Sequence, residues 1–187
     1  PVPSTTTITT PGGLSSSTTM NRSVTLANAN DPVSLKSLTD TVVVNGRTFT
    51  TTYSASTRTL TDTTPGGRQK TTTLDALSRV LQTQVAGFLP ITYGYDSRGR
   101  LASETRATGP DARTTTFAYN AQGFLEAITD PLGRTVRFAY DAAGRVAQQT
   151  RADGRVIRFG YDANGNVTTI TPSGRLDHTF AYTPVNR

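Results

Sequence analysis

One short pattern returns along this chain at a constant step. Tyr140-Asp141-Ala142-Ala143-Gly144-Arg145-Val146 is followed by Tyr161-Asp162-Ala163-Asn164-Gly165-Asn166-Val167, and Tyr182 lies as far beyond Tyr161 as Tyr161 lies beyond Tyr140. Tyr95-Asp96-Ser97-Arg98-Gly99-Arg100-Leu101 and Tyr119-Asn120-Ala121-Gln122-Gly123-Phe124-Leu125 are earlier copies, spread apart by a three-residue insertion near Gly109-Pro110-Asp111. Leu74-Asp75-Ala76-Leu77-Ser78-Arg79-Val80 and Tyr53-Ser54-Ala55-Ser56-Thr57-Arg58 carry the phase back to residue 53. A fixed period of this size marks a repeat architecture, in which each unit buries its face only against its neighbours.

The content of one period specifies β-hairpins. Arg145 to Thr150 reads as a short strand, Ala152-Asp153-Gly154 as a turn, and Arg155 to Tyr161 as a second strand with Ile157, Phe159 and Tyr161 on one face. The Phe-x-Tyr ending returns at Phe117-Ala118-Tyr119, Phe138-Ala139-Tyr140 and Phe180-Ala181-Tyr182. In the first strand the apolar residues lie three apart (Leu125 and Ile128, Val167 and Ile170), a spacing that predicts a bulge. Asp or Asn after Tyr starts an Asx turn. Gly99, Gly123, Gly144 and Gly165 hold the turn position where positive φ is needed. The tyrosines pair a large apolar ring with a hydroxyl that can tie down a neighbouring loop. The fold class is therefore all-β, with stacked hairpins forming a coiled sheet or partial shell. Tyr95, Tyr119, Tyr140, Tyr161 and Tyr182 are expected in one column on one side, with equivalent residues of successive repeats about 10 Å apart, so that Asp96, Asp141 and Asp162 recur in phase.

Composition agrees. The chain holds 37 Thr and its apolar fraction is 34%, a balance that suits a pleated, half-buried surface better than a large core. It has no Cys, one His and one Met, which excludes disulfides and thiolate metal sites. No apolar run is long enough to span a membrane. The formal net charge is +6, but the arginines sit at repeat-fixed turn positions (Arg79, Arg100, Arg145) among 13 acids rather than on one basic face, so no nucleic-acid partner is expected.

Three regions are expected. Residues 1–25 are rich in Ser, Thr and Pro and read as an arm or linker. Residues 26–50 carry a hairpin at Asn45-Gly46. Residues 51–187 form the repeat array. The chain's last residues open another repeat, with Asn186-Arg187 in the slots of Gly144-Arg145, so it is expected not to stand alone. The Thr-rich start is a candidate partner strand for such an edge.

The repeats resemble the YD repeat of the Rhs family, known from bacterial Rhs polymorphic toxins, the C subunit of Tc toxins and teneurins. The resemblance rests on Tyr-Asp-x-x-Gly-Arg-Val/Leu followed by a Gly-centred turn and a strand ending Phe-x-Tyr, over positions 50–187. It implies a wall element of a hollow β-shell that encloses or presents an effector. The family's shells use more repeats than this chain carries. Asp130-Pro131-Leu132-Gly133-Arg134 is similar to the family's self-cleaving signature, but Arg134 replaces its Leu and the position is an ordinary mid-repeat turn.

No catalytic, cofactor or metal residues are expected. Asp162-Ala163-Asn164-Gly165-Asn166 spaces oxygen ligands as a calcium loop does, yet it occupies the repeat's own turn. His178 has no second His or Cys to ligate with, and no nucleophile elbow accompanies it. The expected function is a non-catalytic structural segment of a secreted or cell-surface protein. Its partners are proteins: further repeats, an enclosed effector, or identical copies edge to edge. The alternatives are an adhesin that binds glycan and a self-assembling extracellular fibre.

Overall fold

The computed structural model describes residues 4–183. Sixteen antiparallel strands form one open sheet in which neighbours follow chain order. They are β1 (Ser4–Thr9), β2 (Ser15–Leu26), β3 (Leu35–Val44), β4 (Arg47–Ser54), β5 (Thr59–Thr63), β6 (Gln69–Leu74), β7 (Val80–Val85) and β8 (Ile91–Tyr95). After them come β9 (Leu101–Arg106), β10 (Arg113–Tyr119), β11 (Leu125–Thr129), β12 (Thr135–Tyr140), β13 (Val146–Thr150), β14 (Val156–Tyr161), β15 (Val167–Pro172) and β16 (His178–Thr179). The three-residue insertion forms a single 3-10 turn, Gly109–Asp111. Among the described residues there is no α-helix, and no helix long and apolar enough to cross a membrane. The chain divides into two compact units, one running to Tyr93 and including Thr105–Ala112, the other made of Gly94–Glu104 and everything from Arg113 on.

In the first unit the cross-strand register sorts side chains into ranks, because paired residues of an antiparallel sheet point the same way. One face carries the rank Ser23, Thr39, Thr52, Thr61, Thr71, Gln84 and the rank Asn21, Thr41, Thr50, Thr63, Gln69. Neither rank holds a charge. The opposite face carries Val24, Leu38, Tyr53, Leu60, Thr72, Thr83 and, beside it, Arg22, Asp40, Thr51, Asp62, Lys70, Val85. Its charges are paired across strands: Arg22 donates to both oxygens of Asp40 at 2.6 and 2.7 Å, and the Thr51 hydroxyl donates to Asp62 at 2.8 Å. The Asn45-Gly46 hairpin forms as the sequence predicts, with φ of 48° and 79° and Val44 opposite Arg47.

The segment 1–25 departs from the reading as an arm or linker. Ser4–Thr9 pairs with Ser15–Met20, and β2 runs on to Leu26, in register with β3. The boundary at residue 50 is also crossed, by β4. The physical reason is that the arm reading rests on missing apolar alternation, which signals a strand only when one face is buried. Here both faces of β1 and most of β2 are exposed. Thr and Ser need only a neighbour to pair with, and Thr5 and Thr19 share a hydroxyl contact of 3.2 Å.

In the second unit, Phe117, Ile128 and Val136 face one side, as do Phe138, Gln149 and Ile157, and Phe159 with Ile170. Ala118, Ala127 and Arg137 face the other, as do Ala139, Gln148 and Arg158. The expected bulge is present just opposite three of the tyrosines: Glu126, Ala147 and Thr168 are skipped in the pairing. Skipping one residue brings Leu125 and Ile128 to the same face despite their spacing of three. Gly160 faces Thr169 so closely that a Cβ there would collide with its hydroxyl. This accounts for the small middle residue of that Phe-x-Tyr.

Among the described residues no side chain is fully buried, and only Ala107, Ala127 and Thr72 count as buried, at 7%, 7% and 8% exposed. The sheet is held by its ladders and cross-strand pairs rather than by a closed core. Hydrogen exchange checks the N-terminal finding. The amides of Asn21, Ser23 and Thr25 should be protected to the level of Thr39 and Thr41, whereas a linker would exchange them at the rate of unfolded chain.

Candidate functional site

The signature residues gather at one turn, repeated. Asp96 N–H donates to the Arg100 carbonyl and Gly99 N–H to the Asp96 carbonyl, both at 2.9 Å. This is a type I turn followed by a left-handed glycine, a three-residue hairpin loop. Gly99, Gly123, Gly144 and Gly165 have φ of 80°, 96°, 78° and 89°. The same closure joins Asn120 to Phe124, Asp141 to Arg145 and Asp162 to Asn166.

The acidic side chain completes the loop from within. Oδ1 of Asp141 accepts the N–H groups of Ala143 and Arg145, and Oδ2 accepts Arg145 Nε at 2.8 Å. Asp96 does the same with Arg98 and Arg100. Asp162 takes the N–H groups of Asn164 and Asn166 and the Asn166 side-chain amide. The Asp162 carboxylate that would lead a calcium loop is therefore engaged by its own turn. Asp141 and Asp96 are held below the usual carboxylate range chiefly by the backbone N–H of Arg145 and Arg100, and Asp162 chiefly by the Asn166 side-chain amide.

Each later tyrosine then reaches back to the preceding repeat. Tyr119 donates to the Leu101 carbonyl at 2.9 Å, Tyr140 to Leu125 at 2.7 Å, Tyr161 to Val146 at 2.8 Å and Tyr182 to Val167 at 2.8 Å. The acceptor is always the residue that ends the turn motif, so each of these hydroxyls pins the start of the preceding first strand. Tyr95 ends β8 next to its own turn.

The residue after the glycine covers the next ring. The guanidinium of Arg100 lies 4.2 Å above the Tyr119 ring and that of Arg145 4.5 Å above Tyr161. Phe124 takes the slot in between and stacks on Tyr140 with centroids 4.8 Å apart. Arg145 Nη1 also donates to the Asp162 carbonyl at 3.1 Å. Asn166 is shorter than these residues, and Tyr182 is 42% exposed. By sequence the arginines read as repeat-fixed turn residues with no further task. Their shared position directly after the glycine is the signal, and it is obscured because Arg, Phe and Asn alternate there.

The loop is not confined to the tyrosine edge. Asp130 to Arg134, Arg151 to Arg155, Thr64 to Arg68 and Thr10 to Leu14 close in the same way, as does Asp75 to Arg79 at the tyrosine edge where Leu74 replaces Tyr. Asp130 is thus a turn residue whose Oδ2 accepts Arg134 Nε at 2.6 Å. Asp153 contacts Arg155 at 3.5 Å, and His178 is exposed on β16 opposite Ile170. The structure assembles no site from these three. Among the described residues no three or more His, Cys, Asp or Glu gather as a metal ion would need. Asn186 and Arg187 lie outside the described residues.

A family model described as Teneurin YD-shell matches residues 1–186. Among solved structures, the chain is similar to a Photorhabdus luminescens Tc holotoxin pore carrying a TccC3 mutation, with 14% identity and a TM-score of 0.55 over 90% of this chain and 11% of that one. It is similar also to the crystal structure of TcdB2-TccC3-TEV, with 15% identity and a TM-score of 0.60 over 95% of this chain and 12% of that one. At these identities the likeness is one of fold, and the chain covers only 11% and 12% of those two proteins. No curated protein matches the chain.

Two measurements check the turn. Gly133 and Gly144 both have φ of 78°, but a Cβ at Gly133 meets open space while one at Gly144 would lie 2.7 Å from the Phe124 ring. Gly133→Ala should cost about 1–2 kcal/mol for backbone strain alone, and Gly144→Ala clearly more, by urea unfolding. The second concerns pH. The turn carboxylates titrate lower folded than unfolded, so their contribution is complete above the unfolded value of about 3.9. It is lost as pH falls through the folded values. The thermal midpoint should drop below about pH 4, and Asp141→Asn should flatten that drop.

Proposed function

The chain belongs to the Teneurin YD-shell family, and on that premise we propose that it is a non-catalytic wall segment of a secreted or cell-surface shell that encloses or presents an effector. The observation that supports this most is the chain of ties from each repeat to the one before. Tyrosine hydroxyl and ring-covering residue are both spent on joining neighbours, the turn carboxylate is spent on the joint between them, and all three recur in phase. A catalytic centre needs convergent groups with free valences. Here Asp96, Asp130, Asp141 and Asp162 are engaged by backbone donors and by Arg or Asn.

The repeats from residue 51 on make the patterned wall, and the described residues before them extend the same sheet, with longer strands in β2, β3 and β4. Its partners are further repeats of a longer chain and the enclosed effector. The test is limited proteolysis of the full protein that carries this segment. The enclosed portion should resist cleavage in the wild type and become sensitive when Tyr140 and Tyr161 are both changed to Phe. Each lost hydroxyl tie should destabilise the wall by about 1 kcal/mol. Unchanged protection in a demonstrably destabilised wall, or hydrolytic turnover that disappears in His178→Ala, would overturn the reading.

A further inference from the structure

The repeats serve as one another's controls, and one turn sets two like charges where the turn one period before it holds an ion pair. The loop 130–134 opens with Asp130, which neutralises Arg134 through Oδ2 at 2.6 Å. One period later, the loop 151–155 has the same backbone closure, but Arg151 stands where Asp130 stood. An internal ion pair has become two like charges. Asp153 replaces it only loosely: its Oδ1 accepts the Arg155 N–H at 3.0 Å, but its Oδ2 lies 3.5 Å from Arg155 Nε and both side chains are more than half exposed. The next hairpin brings Arg175 to the same place. Together Arg151, Arg155 and Arg175 line a cleft of about 420 Å³ whose wall includes Ile157, Pro172 and Ser173.

We propose that this cleft binds a sulfated or carboxylated sugar. Guanidinium groups match oxyanions in planar, two-pronged fashion, and three of them around one cleft leave a positive field that the exposed Asp153 only partly offsets. The volume lies within the roughly 300–1,000 Å³ range of small-ligand sites, more than a lone carboxylate side chain needs. Ser173 and the turn backbone offer hydrogen bonds to hydroxyls, and Ile157 with Pro172 offers an apolar patch for a ring face. A peptide fits less well. Extended peptides add to a free strand edge, and β13, β14 and β15 are each paired on both sides. The site stands apart from the shell reading, since a wall that binds no sugar is still a wall.

Calorimetry on the full chain tests it with three probes: a sulfated disaccharide, its unsulfated parent and a Glu-rich hexapeptide. The sulfated sugar should bind and its parent should not. Arg151→Asp should weaken binding about tenfold or more while leaving circular dichroism intact and the thermal midpoint no lower, because it recreates the loop that Asp130 and Arg134 already form. Arg175→Ala should weaken binding without touching the repeated loop. Arg47→Asp, the same charge change on an exposed hairpin residue of the first unit, should leave it unaltered. The proposal is overturned by absence of sugar binding, by equal losses in Arg151→Asp and Arg47→Asp, or by a hexapeptide that binds as tightly as the sugar.

Discussion

The closed five-residue turn, from the N–H of its first residue to the carbonyl of its fifth, sets the register on which everything else depends. A strand displaced by one residue turns all its side chains to the other face. In the repeats the turn fixes that choice at both ends of most strands. Left-handed glycine makes the loop possible, and the Asx carboxylate fills the donors that a tight loop leaves facing inward. Once Asp141 and Arg145 are locked, Val146 sits opposite Tyr140 and Ala147 is skipped. The tyrosine hydroxyl, the bulge and the aromatic face follow from that.

A sheet organised in this way gains little from a core. With no described side chain fully buried, area burial contributes less than in a globular domain, and the interactions that remain are local: ladder bonds, cross-strand pairs and rings capped by the next residue in phase. Every strand pairs with its sequence neighbour, so each contact closes a short loop and costs little chain entropy. Stability then adds up along the array, as in other one-dimensional repeat proteins. Such an architecture tolerates variation between units, provided the turn survives.

That tolerance explains what the sequence shows and what it hides. The period, the two faces, the bulge at Leu125 and Ile128 and the left-handed glycines are legible because each follows from one residue type at one position. The strands β1 and β2 are not, because a pairing of Thr and Ser with both faces open lacks the alternation by which strands are recognised. The ring-covering slot is hidden for a different reason. Arg100, Phe124 and Arg145 do the same job, but cation–π and aromatic stacking are chemically unlike, so the geometry keeps the position while composition changes. The turn itself is only partly legible. Tyrosine and aspartate mark it at the repeat's edge, yet it also closes at Thr10, Thr64 and Arg151, where the backbone closure is the same and the side chain differs.

In a repeat array, individuality resides in the departures. A side chain that obeys the repeat is explained by the repeat: Asp130 holds Arg134, and no further purpose is needed. A side chain that breaks it gives up a stabilising contact that the neighbouring unit retains, and local rules are broken mainly where something else is gained. Asn166 stands in the slot where Arg100, Phe124 and Arg145 each cover a ring, and Tyr182 is left 42% exposed. Arg151 leaves Arg155 with only the looser pairing to Asp153 and adds repulsion, a larger local loss. The rank of uncharged side chains from Ser23 to Gln84 is a departure on a larger scale, since one face of the later repeats carries Arg137 and Arg158. A wall whose joints are uniform but whose faces differ from stretch to stretch can keep one mechanical design while presenting different chemistry along its length.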